Sequence, residues 1–145
     1  MKLNELDGKK VGMCVSGGLD SKTVTKRLTQ EGIDVVCFTA DLAQPDEDDI
    51  NGVIDKMAPC GARTVVVDLK KEMADACFEV IKCNARYDGG YWNTTGIARA
   101  VTVKGIIAAM KEEGCNVLAH GATGRGNDQM RFERYATVLA PEIQV

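Results

Sequence analysis

The stretch Val11-Gly12-Met13-Cys14-Val15-Ser16-Gly17-Gly18-Leu19-Asp20-Ser21 decides the fold. Its first half, Val11 to Val15, is a short apolar run of the kind that fills a strand buried on both faces. Its second half turns on two adjacent glycines and leads straight into a helix-like segment, Ser21 to Glu31. Glycine has no Cβ, so the backbone can bend sharply and bring N–H groups against an anion, while the free N–H groups of the following helix add positive potential. Strand, glycine turn and helix in that order describe a phosphate cradle, and the ligand suggested is the pyrophosphate of a nucleotide. The alternative is a plain strand-to-helix turn capped by Asp20 or Ser21.

The spacing excludes two commoner phosphate loops. A Walker loop closes a longer glycine frame with Lys-Ser/Thr, and a dinucleotide fingerprint needs three spaced glycines; neither pattern is present. Ser16-Gly17-Gly18-Leu19-Asp20-Ser21 instead resembles the PP-loop of enzymes that split ATP into AMP and pyrophosphate. That resemblance implies that the Ser16 and Ser21 hydroxyls and the Gly17 and Gly18 amides hold the two outer phosphates, with Asp20 helping to place a magnesium ion.

Outward from this loop, strand-like and helix-like segments alternate, the signature of a parallel sheet covered by helices on both faces. The first helix carries Val24 and Leu28 and stops at Gly32; Val35 to Ala40 then reads as a buried second strand, broken by Gln44-Pro45-Asp46. The acidic run Asp46 to Asp49 suits a helix N-terminus, with Ile50, Val53, Ile54 and Met57 keeping one face apolar. Thr64 to Leu69 is a third strand, and the helix after it places Met73, Cys77, Val80 and Ile81 on its inner stripe. Asn84 to Gly96 reads as a long loop carrying Tyr91 and Trp92, and such loops tend to be functional.

A helix from about Ala98 to Glu113 turns Val103, Ile106, Ile107 and Met110 inward and stops at Gly114. Asn116 to His120 is a fourth strand, and a second glycine-rich turn, Gly121 to Asp128, follows it. The last helix presents Phe132, Tyr135 and Leu139 on one face, Pro141 ends it, and Ile143-Gln144-Val145 begins a fifth strand. The expected fold is α/β, a doubly wound parallel sheet in the order 3-2-1-4-5, formed by a single domain over residues 1–145. An ending inside a strand reads as a fragment of a longer chain.

Composition narrows the function. With 145 residues and 45% hydrophobic content the chain can bury one core. A net charge of −3 with scattered lysines and arginines offers no basic face for nucleic acid. No apolar run reaches membrane-spanning length, and the N-terminus lacks the features of a signal peptide, so a cytoplasmic protein is expected. The six cysteines include no Cys-x-x-Cys pair, and with His120 the only histidine a zinc site is not expected; most of the cysteines read as buried thiols.

In an open parallel sheet, ligands bind beyond the carboxyl ends of the strands where the strand order reverses. The order 3-2-1-4-5 makes the first and fourth strands neighbours there, so both glycine-rich turns should share one crevice, with Ala40 on its adenine side. His120 and Trp92 are expected to be structural.

Four segments then carry a specific resemblance. Ser16 to Ser21, Phe38-Thr39-Ala40-Asp41-Leu42-Ala43-Gln44-Pro45-Asp46-Glu47, Tyr91-Trp92-Asn93-Thr94-Thr95 and His120-Gly121-Ala122-Thr123-Gly124-Arg125-Gly126-Asn127-Asp128-Gln129-Met130-Arg131-Phe132-Glu133 look like the N-terminal nucleotide-binding domain of the argininosuccinate synthase family. The resemblance covers nearly all of the chain and implies truncation before that family's C-terminal synthetase domain. It implies an ATP- and magnesium-dependent ligase joining citrulline and aspartate in arginine biosynthesis, in a family that forms homo-oligomers, typically tetramers.

Residue by residue, the resemblance assigns Cys14, Val15, Ser16, Gly17, Gly18, Leu19, Asp20, Ser21, Lys22, Ala40, Gly121 and Thr123 to ATP. Tyr91, Asn127 and Arg131 are assigned to citrulline, and Thr123, Asn127 and Asp128 to aspartate. The side chains suit these roles, since Arg131 can pair bidentately with a carboxylate and Asp128 can anchor an ammonium. No nucleophile or general base stands out. Lys22, Ala43 and Gly96 depart from the family pattern. Two rival readings are another PP-loop enzyme, such as a tRNA thiouridine synthase, and a nucleotide-binding module without catalysis.

Overall fold

The computed structural model describes residues 3–44, 49–88, 90–122, 124 and 126–145. Four strands, β1 (Lys10–Cys14), β2 (Asp34–Asp41), β3 (Arg63–Asp68) and β4 (Val117–His120), form one sheet in the order β3-β2-β1-β4. Every pair is parallel, with Cys14 opposite Phe38 on one side and His120 on the other. Between the strands run α1 (Leu19–Gln30), α2 (Gly52–Met57), α3 (Lys70–Lys82) and α4 (Thr94–Glu112), and α5 (Asn127–Leu139) follows β4. The doubly wound parallel architecture is therefore present.

The expected fifth strand is reduced to a single parallel bridge. Gln144 pairs with Val117, its carbonyl accepting from Leu118 N at 2.7 Å and its N–H donating to Asn116 O at 3.3 Å. A strand needs consecutive bridges, and among the described residues Gln144 makes only this one beside β4.

Alternation along the strands divides the core between the two faces of the sheet. Val11, Met13, Val35 and Cys37 pack with Leu28 of α1 and with Val53 and Met57 of α2. Val36 and Phe38 point the other way, onto Val103, Ile106, Ile107 and Met110 of α4 and Ala136 of α5. Phe38, Met13, Met57, Ile106 and Met110 are almost wholly buried, and each such side chain contributes roughly 1.5–3 kcal/mol. Gly12 lets α4 approach β1: a Cβ there would stand 2.7 Å from Met110 Cγ.

Local chemistry moves several element boundaries. The first helix starts at Leu19 and not at Ser21, because Gly18 occupies the N-cap and neither Asp20 nor Ser21 caps the turn. Gly32 and Gly114 stop α1 and α4 as expected, both with positive φ. The long loop expected at Asn84 to Gly96 is shorter: Arg86 bridges antiparallel to Trp92, and α4 already begins at Thr94. Pro45 and, of the acidic run, Asp46 to Asp48 lie outside the described residues, and α2 starts at Gly52 after Asp49 Oδ1 has accepted the Asn51 N–H at 2.9 Å. Ile81 and Leu139, expected inward, are exposed, and Val80, Ala136 and Ala140 take the buried positions beside them. No helix among the described residues is long and apolar enough to cross a membrane.

Candidate functional site

Four parallel strands end on one edge of the sheet, and a cavity of about 390 Å³ opens above it. Cys14, Phe38 and Thr39 lie at its base. The turn after β1 and the start of α1 contribute Val15, Ser16, Gly18, Leu19, Asp20 and Ser21; Ala40, Leu42, Gln44, Ile50 and Val53 line the β2 side. His120, Gly121, Ala122, Asp128 and Phe132 complete the β4 side. The two glycine-rich turns thus share one crevice. A Cβ placed on Gly121 would sit 3.5 Å from Asp20 Cβ and 3.7 Å from Ser21 N, so the second turn lies on the first turn of α1.

The PP-loop is organised from within. Ser16 N donates to Ser21 Oγ at 3.2 Å, and the two hydroxyls are 3.5 Å apart. Gly18 at the N-cap brings no side-chain oxygen, which leaves the helix start without the usual capping acceptor on a segment that lines the cavity. Of the residues expected at ATP, Gly17 and Lys22 do not line the cavity. Gly17 is buried behind the loop with φ of 74°, where a Cβ would meet Lys56 Cδ at 3.0 Å. Lys22 is half-buried one turn into α1, and its carbonyl accepts from Cys60 Sγ at 3.6 Å. Thr123 lies outside the described residues.

Two groups at the base are chemically quiet. Burial, reinforced by Cys37, pushes the Cys14 thiol up to about 12, so it stays protonated. Burial also holds His120 below its usual range, against a weaker opposing effect of Glu133. His120 Nδ1 accepts the Ala122 N–H at 3.2 Å, and its ring stacks on Phe132 with centroids 5.1 Å apart. It is a neutral brace for the start of the second loop.

A second depression of about 500 Å³ adjoins the first and shares Gly121, Ala122 and Asp128 with it, adding Gly126, Asn127 and Arg131. Asp128 stands on the common wall, with Oδ2 3.0 Å from Arg99 Nη2 and Oδ1 3.4 Å from Arg131 Nη1. The Arg99 hydrogen bond, with a smaller contribution from Arg131, holds its carboxyl below the usual carboxylate range. Arg131 Nη2 donates to Tyr87 Oη at 3.3 Å, and that hydroxyl donates to Asn93 Oδ1 at 2.9 Å.

The structure therefore gathers Asn127, Asp128 and Arg131 and leaves Tyr91 just outside both depressions. Tyr91 is 54% exposed, shares a 2.6 Å hydrogen bond with Thr95 Oγ1, and stacks on Tyr87 with centroids 5.4 Å apart. Trp92 is covered by the Arg86 guanidinium at 3.9 Å, the structural role expected of it. Gly96 also acquires a physical reason, since a Cβ there would overlap Asn93 Oδ1, the acceptor that holds Tyr87.

Sequence reasoning missed the α4 wall of the main cavity, formed by Arg99, Thr102 and Ile106. Their spacing of three and then four residues marks one helical face, a signal present in the sequence but obscured by reading the helix for its apolar positions alone. It also missed Tyr87 and Asn93, which reach the site through hydrogen bonds.

For magnesium, the carboxylates that line the main cavity among the described residues are those of Asp20 and Asp128. Among the described residues no group of three or more His, Cys, Asp or Glu converges on a metal-binding point. Asp20 lines the cavity beside the PP-loop, and one carboxylate fits an ion held mainly by a nucleotide's phosphates and water.

Comparison with known proteins points to one family. Residues 10–145 match the family described as Arginosuccinate synthase N-terminal HUP domain. The chain is 44% identical over 140 residues to an argininosuccinate synthase of Nitratidesulfovibrio vulgaris (strain DP4), covering 94% of this chain and 35% of that protein. An argininosuccinate synthase of Erythrobacter litoralis (strain HTCC2594) is 41% identical over 142 residues, covering 96% and 35%. One of Methylococcus capsulatus (strain Bath) is 41% identical over 140 residues, covering 94% and 34%. The chain spans about a third of the length of these curated relatives.

Proposed function

Because this chain belongs to the arginosuccinate synthase N-terminal HUP domain family, we propose that it forms the nucleotide-binding part of an ATP-dependent ligase that joins citrulline and aspartate. The products are argininosuccinate, AMP and pyrophosphate, within arginine biosynthesis. The observation that carries the proposal is the contact of Gly121 with the first turn of α1, which makes the PP-loop and the Asn127, Asp128 and Arg131 segment walls of adjoining spaces.

In this proposal the Ser16 to Ser21 turn holds the β- and γ-phosphates through hydroxyls and N–H groups, and Phe38, Ala40, Ile50 and Val53 supply the apolar side suited to adenine. The citrulline ureido oxygen attacks the α-phosphorus, forming a P–O bond as the bond to the bridging α,β oxygen breaks and pyrophosphate leaves. Aspartate's amine then bonds to the ureido carbon, the carbon–oxygen bond breaks, and AMP departs with that oxygen while the nitrogen loses a proton. Asn127, Asp128 and Arg131 orient the amino acids, with Tyr91 and Thr123 assigned beside them. Placement and charge stabilisation carry the chemistry. Magnesium, held through the phosphates with Asp20 beside it, would neutralise charge on the leaving pyrophosphate.

The sulfur-transfer rival calls for paired reactive cysteines and a basic face for RNA, and the sequence has no Cys-x-x-Cys pair and a net charge of −3 with scattered lysines and arginines. The proposal extends to a cytoplasmic homo-oligomer, a tetramer in the full-length form, measurable by light scattering. The deciding experiment has two arms. Calorimetry should detect Mg-ATP binding by this chain and its weakening in Asp20→Ala. AMP release by the protein that carries this chain should require citrulline, with argininosuccinate appearing only when aspartate is added. ATP binding unchanged by Asp20→Ala would remove the PP-loop from the proposal, and AMP release indifferent to citrulline would remove the ligase.

A further inference from the structure

The cleft assigned to ATP has an unusual charge balance for a polyanion. Among the described residues that line it, Asp20 and Asp128 are acidic, His120 is held neutral, and Arg99 is the one lysine or arginine. Lys22, the only cation in the PP-loop segment, does not line the cavity. N–H dipoles at the helix start and a magnesium ion would offset part of a triphosphate's charge on the PP-loop side, while the α4 wall of the cavity is lined by Arg99, Thr102 and Ile106.

Arg99 stands on that wall. It projects from the second turn of α4 above Thr102 and Ile106, and its side chain is 31% exposed. A guanidinium carries five N–H donors in a planar fork. Asp128 Oδ2 accepts from Nη2 at 3.0 Å and anchors the group at the border of the two depressions. Among the described residues Asp128 is the guanidinium's one hydrogen-bond partner, and the side chain lines the cavity.

We propose that Arg99 is an anion-binding residue of the nucleotide cleft, contacting a phosphate of ATP on the side facing the amino-acid depression, with Asp128 as its tether. This deepens the ATP-binding reading and rests on it. Arg99 complements the PP-loop by approaching the phosphates from another wall of the cavity, and its tether couples it to the residues that would hold the amino acids.

The test is Mg-ATP calorimetry on this chain over a range of salt concentrations, comparing wild type with Arg99→Gln and Arg99→Lys, alongside thermal midpoints without ligand. A charge-assisted contact predicts that Arg99→Gln lowers ATP affinity by about 10- to 100-fold. It also predicts that Arg99→Lys recovers part of the loss and that the salt dependence becomes shallower in Arg99→Gln. Unchanged affinity in Arg99→Gln would overturn the inference alone. So would a loss that leaves the salt dependence unmoved and is not recovered by lysine, since that pattern belongs to a structural role. Failure of the wild-type chain to bind Mg-ATP would overturn the nucleotide reading and this inference together.

Discussion

Gly121 lies directly over Asp20: a Cβ built on the glycine would stand 3.5 Å from Asp20 Cβ. That spacing is ordinary van der Waals contact, so an alanine fits while a branched side chain must push into the cavity. Gly121→Ala is therefore expected to leave unfolding free energy within about 0.5 kcal/mol of wild type and to retain ATP binding. Gly121→Val should keep the fold, read by circular dichroism, and lose at least about tenfold in Mg-ATP affinity, equivalent to about 1.4 kcal/mol. Equal ATP affinity in the valine variant would show that the second loop is not a wall of the nucleotide site.

Gly96 and Asn93 make a second such relationship. A Cβ at Gly96 would overlap Asn93 Oδ1, the acceptor for Tyr87, whose hydroxyl in turn accepts from Arg131. Gly96→Ala should swing the Asn93 carboxamide aside and release Tyr87, weakening citrulline binding several-fold in the protein that carries this chain. Asn93→Ala removes the same acceptor by a different route. Residues acting through one network are non-additive, so the double variant should bind citrulline about as weakly as either single one. Fully additive losses would separate the two residues and dissolve the chain of hydrogen bonds to Arg131.

Four of the five expected strands are present, legible because burial on both faces writes them as continuous apolar runs such as Val11 to Val15 and Val35 to Ala40, whereas the run from Ile143 gives only the Gln144 bridge. Helix starts were less legible. Gly18 caps α1 without any side-chain signature, and Thr94-Thr95-Gly96, poor helix formers, nevertheless open α4. In the site, the Ser16 to Ser21 turn is legible from its own adjacent residues, while Asn127, Asp128 and Arg131 are singled out by the family resemblance. Arg99 could be placed on one helical face with Thr102 and Ile106, but neither its pairing with Asp128 nor that of Tyr87 with Arg131 could be read, since those partners lie 29 and 44 residues away.

Ala43 is a departure with a measurable cost. It holds φ of 57°, in the left-handed region, with its N–H donated to Asp41 Oδ1 at 3.0 Å. An L-residue with a Cβ is disfavoured there by roughly 1–2 kcal/mol, whereas glycine adopts the conformation freely and gives back about 0.4–1 kcal/mol through a more flexible unfolded chain. Ala43→Gly should therefore stabilise the protein by about 0.5–1 kcal/mol in urea unfolding, with the Asp41 hydrogen bond intact. A decrease in stability would mean that the loop relaxes out of the left-handed region in solution.

His120 sets the acid response near neutrality, because it is the only histidine in the chain. Burial lowers its folded pKa below the ordinary value of 6.5. Between those two values the unfolded chain binds more protons than the folded one, so stability rises with pH in that window. Its contribution is complete above 6.5 and is lost as the pH falls through the depressed folded value. The carboxylates held low by ion pairs, Asp41 and Asp128, titrate in a more acidic window and leave this one clear. Thermal midpoints recorded from about pH 7.5 down to about pH 5 should fall in wild type and flatten in His120→Asn. Asparagine's Oδ1 can still accept the Ala122 N–H that Nδ1 accepts now. An undiminished slope in His120→Asn would place the proton uptake elsewhere and leave the brace on the second loop without its titrating group.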